Sequence, residues 1–349
     1  MTEHPPLLSI CIPTYNREQY LDETLASIIN QLKPDNVGNV EICISDNAST
    51  DNTAQIVAKY KANPSINLVY SRNEKNLGAD ANYLKAVEIA SGTYCWLLGS
   101  DDKPEPTALQ QLLGYVCKGD APDIFILESF SYDSMFSHRI QTPPYPIAIK
   151  YQDNHLFTNS HDFVKDAVEK LGYLSLNVVK RQVWLNAEGF EPFIGSAYVH
   201  TYKILKMISK GSKVLYIREP LVGWRSGNDS FMQTEKLYGR IKLDVDGYGA
   251  IAANIFGKGS YEHKKTLDAI IKFYLSDAWL PLCRLHYDAK MNWAVFRLFL
   301  SRLWRRPLFW VKVVPWFLMP RIGLLAIRYI YRRTLKPLKF RKAVLHNKH

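Results

Sequence analysis

Over its first 130 residues the chain predicts an α/β fold with a mostly parallel sheet covered by helices on both faces. Strand-like and helix-like signals alternate strictly, and the strand segments are near-continuous apolar runs, the pattern of strands buried on both faces. A length of 349 residues with a 47% apolar share supplies ample core for one large domain or two ordinary ones.

The first strand is LLSICIP, followed by REQYLDETLASIINQL, whose apolar positions recur at helical spacing. VEICIS and TDNTAQIVAKYKA form the second strand and helix, INLVYS and ADANYLKAVEIAS the third, and YCWLLG and PTALQQLLGYV the fourth. DIFILES is a fifth strand. Residues 131–160, rich in Tyr, Ser and Pro, read as a loop or short β excursion. The pattern resumes with HDFVKDAVEKLG, YLSLNVVKR, a helix at SAYVHTYKILKMIS and two short strands, KVLYI and PLVGWR. Helices dominate from about residue 234, and neither a repeat nor a low-complexity linker divides the chain.

The net charge of +11 is unevenly spread. Residues 290–349 hold 15 Lys and Arg and no Asp or Glu, which leaves residues 1–289 with 29 basic against 33 acidic groups. In that tail Trp293, Phe296, Leu300, Leu303 and Trp304 share one helical face, and Arg297, Arg302 and Arg305 much of another. Lys312 and Arg321 keep every apolar run short of the roughly 18 residues a spanning helix needs. The expectation is a segment lying on an anionic membrane surface, with an ordinary packed helical pair as the alternative. Large aliphatic groups between the basic ones argue against nucleic acid. The start runs straight into a strand with no basic-then-apolar signal, so the expected compartment is cytosolic. Five cysteines (Cys11, Cys43, Cys95, Cys117, Cys283) without C-x-x-C spacing read as reduced, buried thiols.

Every early strand ends in polar groups. Pro13-Thr14-Tyr15-Asn16-Arg17 follows the first, Ser45-Asp46-Asn47-Ala48-Ser49 the second, the run from Arg72 through Asn76 and Gly78 to Asp80 the third, and Gly99-Ser100-Asp101-Asp102 the fourth. Ligands of such sheets bind beyond the carboxyl ends of the strands. Any one of these groups can cap a helix; four meeting at one edge point to a ligand. Neither G-x-G-x-x-G nor a P-loop occurs, which disfavours a dehydrogenase or a kinase. Adjacent aspartates offer hard oxygen ligands to Mg²⁺ or Mn²⁺ bridging a diphosphate, so the edge reads as a nucleotide-diphosphate site without a P-loop.

SICIPTYNREQYLDETLASI, EICISDNASTDNT and RNEKNLGADANYLKAVEIASGTYCWLLGSDD together resemble the nucleotide-binding half of family 2 glycosyltransferases, which have the GT-A fold, Rossmann-like with flanking helices. YLSLNVVKRQVW and EPLVGWRSGNDSF resemble the bacterial abequosyltransferase-like group that builds O-antigen units of lipopolysaccharide. The resemblance implies a GT-A catalytic domain over residues 1–232, nucleotide-sugar-binding at 7–130 and acceptor-binding at 131–232, with a helical membrane-associating region at 233–349. It implies that Pro13, Thr14, Tyr15 and Asn16 line the nucleotide pocket, that Asp46 contacts the base, and that Asn76 and Gly78 form the family's N-x-G turn. Gly99-Ser100-Asp101 aligns with the family's D-x-D. Asp101 is then the metal carboxylate with Asp102 beside it, and Gly99 stands where the first Asp is expected.

Where relatives carry an acidic base after a G-G-F turn, this chain has Gly189-Phe190-Glu191 and then Val199-His200. That makes His200 the candidate general base, with Glu191 the alternative. Arg225 survives without the His that often follows it; it can pair with the leaving diphosphate, and Asn228 or Asp229 can replace the lost ligand. The implied activity is an inverting, divalent-metal-dependent glycosyltransferase on the inner face of the cytoplasmic membrane. It would take a nucleotide sugar donor, a dideoxyhexose such as abequose from CDP-abequose, and a polyprenyl-diphosphate-linked glycan acceptor. The competing class is a sugar-nucleotide-binding or membrane scaffold protein that has lost its chemistry, motivated by the missing first Asp and acidic base. A nucleotidyltransferase would need a Gly-rich basic loop after the first strand, and PTYNRE does not supply one.

Overall fold

The computed structural model describes residues 5–140, 146–275, 284–285 and 288–330. Cys283 and the last 19 residues of the basic tail, 331–349, lie outside the described residues.

The elements in chain order are β1 (Leu8–Thr14), α1 (Glu18–Ile29), β2 (Val40–Asp46), α2 (Thr53–Lys61), β3 (Leu68–Arg72), α3 (Ala79–Glu88), β4 (Tyr94–Leu97), β5 (Lys103–Pro104) and α4 (Ala108–Val116). Then come β6 (Ile124–Tyr132), β7 (Arg139–Ile140), α5 (Pro146–Lys150), β8 (His155–Phe157), α6 (Ser160–Ala167), β9 (Asn177–Lys180), α7 (Arg181–Leu185), α8 (Val199–Ser209) and β10 (Val214–Arg225). The helices α9 (Ser230–Phe256), α10 (Tyr261–Leu275), α11 (Ala289–Leu303), α12 (Val314–Leu318) and α13 (Arg321–Ile330) follow.

One sheet runs in the order β3-β2-β1-β4-β9-β6-β10-β5, with β7 beside β6 and β8 beside β10. Pairing is parallel across β3-β2-β1-β4 and between β6 and β10. β9 enters antiparallel between β4 and β6, so the sheet is mixed in its second half. The two short strands expected at 213–225 are one strand, irregular around Pro220, which has no N–H for the ladder.

β1 and β2 are buried at every position because both sheet faces are covered. Leu8, Ile10 and Ile12 pack with α1, α2 and α4 on one side, while Cys11, Cys43 and Cys95 join α3, α6, α8 and the C-terminal helices on the other. These three cysteines are free buried thiols; Cys117 is free but exposed. A buried ion pair fixes the 3₁₀ turn Val168–Gly172 to the sheet: Lys170 Nζ lies 2.7 Å from Glu128 Oε1, and Tyr216 donates to Glu128 Oε2 at 2.7 Å.

The early tail packs differently from the expected faces. α11 buries Val295, Leu298, Phe299 and Leu303, while Trp293 and Trp304 stay exposed. Arg302 and Arg306 hold Asp246 and Asp268 at 2.6–2.9 Å, so this part of the basic segment is built into the protein. Beyond it, Trp310, Val311, Leu318, Ile322 and Leu325 are exposed. No single helix among the described residues is long and apolar enough to cross a membrane; the bent pair Phe309–Leu318 and Arg321–Ile327, at 108°, passes only when taken together.

Candidate active site

The loops after β1, β2, β3 and β4 meet at the carboxyl edge of the sheet and border a cavity of about 730 Å³. Pro13, Thr14 and Tyr15 continue β1 into its wall. Asn16 turns away with φ 51°; its side-chain oxygen accepts from the Thr50 amide at 2.8 Å and its own amide donates to Ser49 Oγ at 2.9 Å. It ties two loops together and does not line the cavity.

Asp46 is likewise behind the wall. Fully buried, it accepts from the Ser49 amide at 2.9 Å and the Tyr70 hydroxyl at 2.7 Å, with Arg72 Nε at 3.6 Å, so its oxygens are used within the loop. The cavity-facing position is the next residue, Asn47. Its amide donates to Asn76 Oδ1 at 2.7 Å and to the Gly78 carbonyl at 3.2 Å, and its oxygen accepts from the Leu77 amide at 2.8 Å. Gly78 has φ 84°, a left-handed conformation that suits glycine, and it lets the backbone itself form the wall where α3 begins. Asn82 donates to the Thr14 and Ser45 carbonyls at 3.3 and 3.0 Å, locking this amide network to two strand ends.

The acidic turn divides its labour. Asp102 points inward: Tyr173 and Ser175 donate to Oδ2 at 2.6 and 2.5 Å, and the Arg225 amide donates to Oδ1 at 3.2 Å. Burial, with Asp101 adding to it, pushes its carboxyl up to about 7. Asp101 lines the cavity with Oδ2 4.0 Å from Arg17 Nη1 and in contact with the Asn228 amide. Burial raises its pKa and Arg17 opposes the shift. Gly99 explains its own identity: a Cβ there would sit 3.0 Å from both Asp101 Oδ1 and Asp102 Oδ2 and 3.2 Å from Ser175 Oγ. The space a first aspartate would occupy is filled by the inward Asp102–Ser175 pair.

Arg225 does not reach the cavity. Its guanidinium is buried between the Tyr20 and Phe136 rings at 4.7 and 4.8 Å. It donates to the Asp101 and Ser134 carbonyls at 3.0 and 2.8 Å and to Glu23 at 2.8 Å. With its donors spent this way, it clamps the acidic turn from behind, and the cations facing the cavity are Arg17 and Arg240.

On the far side, the buried Asp80 accepts from the Gly195, Ala197 and Val199 amides at 2.7, 2.9 and 3.2 Å and so shapes the loop leading into α8. That loop presents His200, which lines the cavity at 1% exposure with neither ring nitrogen in a well-formed hydrogen bond. Burial lowers its pKa to about 4, only partly offset by the Leu171 and Gly172 carbonyls. Tyr83 packs edge-on against it at 5.6 Å. Glu191, in contrast, is exposed at the start of a 3₁₀ turn and does not line the cavity.

The family pattern described as Glycosyl transferase family 2 matches residues 9–168. The chain is 34% identical over 259 residues to abequosyltransferase RfbV of Salmonella typhimurium, covering 72% of this chain and 76% of that one. The chain belongs to glycosyltransferase family 2. It is also similar to the putative teichuronic acid biosynthesis glycosyltransferase TuaG of Bacillus subtilis, 37% identical over 117 residues, 33% of this chain and 44% of the other. In fold it resembles S. aureus TarS in complex with UDP (TM-score 0.60, 17% identity, 86% of this chain and 81% of that one). It also resembles the mannosyltransferase PcManGT of Pyrobaculum calidifontis in complex with GDP-Man and Mn²⁺ (TM-score 0.51, 15% identity, 95% and 89%). The fold is GT-A, as the resemblance to family 2 glycosyltransferases implied.

Within this family 2 chain the cavity brings together Pro13, Thr14, Tyr15, Asn76, Gly78, Ser100, Asp101, Asp102 and His200 from the sequence-stated set. It adds Arg17 and Asn47, each adjacent to a residue already named, and Arg240 and Asp244 from α9. Asp244 accepts from Arg240 and from the Tyr198 and Tyr274 hydroxyls, pinning α9 to α10 and to the loop that leads into α8. The i,i+4 spacing of Arg240 and Asp244 is visible in the sequence, but nothing local says that this helix face meets the sheet edge.

Proposed function

We propose that the protein is an inverting transferase that moves a dideoxyhexose such as abequose, carried as CDP-abequose, to a polyprenyl-diphosphate-linked glycan in bacterial O-antigen assembly. The observation that carries the reading is Asp101, which lines the same cavity as Pro13–Tyr15, Asn47 and Gly78. The choice of sugar is supported by the 34% identity to a Salmonella typhimurium abequosyltransferase over most of both chains.

A divalent cation fits the residues present. Asp101 and Asn228, whose amide in its other orientation turns its oxygen to the same point, make a hard-oxygen pair that phosphate oxygens would complete. Among the described residues no group of three His, Cys, Asp or Glu could hold a metal ion by itself. Bound there, Mg²⁺ or Mn²⁺ supplies charge neutralisation for the departing diphosphate.

Arg17 faces the same phosphates, and Asp102 with Arg225 holds Asp101 in place. The acceptor hydroxyl attacks the anomeric carbon in line, the bond to the diphosphate oxygen breaks, and the configuration inverts. His200, neutral at physiological pH, takes the proton; the anionic donor beside it favours the imidazolium that forms. The exposed apolar set Trp310, Val311, Leu318 and Ile322 faces an anionic bilayer on the cytoplasmic side, which brings the site to a lipid-borne acceptor.

The test is turnover: purified protein with Mn²⁺, lipid extract and a panel of CDP-, UDP-, GDP- and dTDP-sugars. Acceptor-dependent release of nucleoside diphosphate from a CDP-sugar is expected. Release from none of the donors would overturn the assignment.

A further inference from the structure

Arg240 lines the cavity, and the transfer chemistry described so far gives it no task. A guanidinium carries five N–H donors. Here Nε donates to Asp229 Oδ2 at 3.0 Å and Nη1 to the Tyr198 hydroxyl at 3.0 Å and to Asp244, while Nη2 makes no hydrogen bond among the described residues. The two carboxylates hold it differently. Asp244 is buried and accepts from the Tyr198 and Tyr274 hydroxyls as well, so it is fixed. The Asp229 side chain is 45% exposed and lies before a break in α9 at Lys236 (φ 57°, ψ −178°), so it is not rigidly joined to the turns that carry Arg240 and Asp244. Gly227, with φ 84°, bends the chain just ahead of it.

We propose that Arg240 is a catalytic residue of the transfer, a cation that binds the leaving diphosphate, and that Asp229 occupies this cation until the diphosphate arrives. The proposal rests on the glycosyl-transfer reading and deepens it. Position is the first support. Asn228 contacts Asp101 and its neighbour Asp229 contacts Arg240, so two consecutive residues span the distance from the acidic turn to this guanidinium. Burial, with Asp80 and Asp101, raises the pKa of Tyr83 while Arg17 and Arg240 oppose the shift, so Asp101 and both cations act on one cavity-lining side chain. The second support is the state of the donors. As the bond between the anomeric carbon and the diphosphate oxygen breaks, its electron pair stays on that oxygen and the acceptor's proton goes to His200. The charge gathering on the diphosphate is best met by donors already oriented, and Asp244 and Tyr198 orient this guanidinium through Nη1. Nε and Nη2 form one edge of the fork, the edge that takes two oxygens of a carboxylate or phosphate at once. Asp229 uses only half of that edge, through Nε, and phosphate oxygens can take both halves. The exchange replaces one anion by another, so Arg240 keeps a counter-charge throughout.

Titration calorimetry on the full chain tests this without requiring turnover. The probes are CDP and cytidine, each measured in EDTA and in Mn²⁺. The wild type should bind CDP more tightly than cytidine in both. Arg240→Gln should weaken CDP at least tenfold and leave cytidine unchanged, and Arg240→Lys should recover most of the loss. Asp229→Asn removes the competing carboxylate at an exposed side chain. It should tighten CDP at least threefold in EDTA with cytidine unchanged, a gain that loss of a merely structural ion pair would not give. CDP affinity indifferent to Arg240→Gln, or unchanged or weakened by Asp229→Asn, would overturn the proposal. So would a wild type that binds CDP no better than cytidine. Should Arg240→Gln fail to fold, seen as lost cytidine binding, the Asp229→Asn result decides alone. If the variants behave as stated but the donor panel gives no release, the transfer reading fails and the diphosphate site at Arg240 stands.

Discussion

The two ends of the cavity are built by opposite strategies. At the strand-edge end, consecutive strand ends from residues 13–102 deliver short polar side chains whose hydrogen bonds close among themselves, Asn47 with Asn76 and Asn82 with the Thr14 and Ser45 carbonyls. At the helical end, helices remote in sequence meet around buried charge, Asp244 with Arg240 and Lys170 with Glu128, and the wall between them is aromatic and aliphatic. The first arrangement fixes a surface of backbone, glycine and amides. The second leaves a lobe, bordered by Ala269 and Phe273, whose shape depends on which side chains the helices carry.

The sharpest way to separate the ends is Asp101→Ala. It should cut kcat/KM by roughly a thousandfold or more, about 4 kcal/mol of transition-state stabilisation, while leaving the fold intact. Near-normal turnover by that variant would remove Asp101 from the chemistry.

A smaller effect is expected at the junction, where His200 has a folded pKa of about 4 against an ordinary value of 6.5. Above the ordinary value both folded and unfolded chains hold it neutral. As pH falls from there to about 4, only the unfolded chain takes up the proton, so stability is lost across that window by on the order of 3 kcal/mol. Urea unfolding of the wild type and His200→Phe at several pH values should show that slope reduced in the variant. Parallel curves would mean that His200 is already protonated or solvated in the fold.

The least energetic change concerns the outermost surface. Replacing Trp310, Leu318 and Ile322 by serine should shift the protein from anionic vesicles into the supernatant in a sedimentation assay, with CDP binding untouched. Retention of the triple variant on vesicles would place the contact elsewhere. Deleting everything from residue 290 is the poorer experiment, because Leu298, Phe299 and Leu303 of α11 belong to the core.

How much was legible follows from the same contrast. The strands and helices through residue 116, the two-residue β5 apart, were readable because each strand is a near-continuous apolar run and each helix carries its own stripe. Asp46 and Asn47 are neighbours in sequence, and only packing against Tyr70 and Ser49 decides that Asn47 is the one that lines the cavity. Arg225 was misread for a related reason, since a charged side chain beside a turn looks solvent-facing until Tyr20 and Phe136 close over it. Gly99 looked like a loss of function in the sequence; in three dimensions it is room for Asp102 and Ser175. The helical end of the cavity was not legible at all, because it exists only where α9 and α10 cross residues about 70 to 100 positions earlier in the chain.

The most direct test of two ends in one cavity is a crystal structure with CDP and Mn²⁺ soaked in. The account predicts the base against Asn47 and Gly78, the diphosphate and metal at Asp101 between Arg17 and Asn228, and no nucleotide density in the lobe lined by Ala269 and Phe273. Nucleotide seated in that lobe, or metal density away from Asp101, would contradict it.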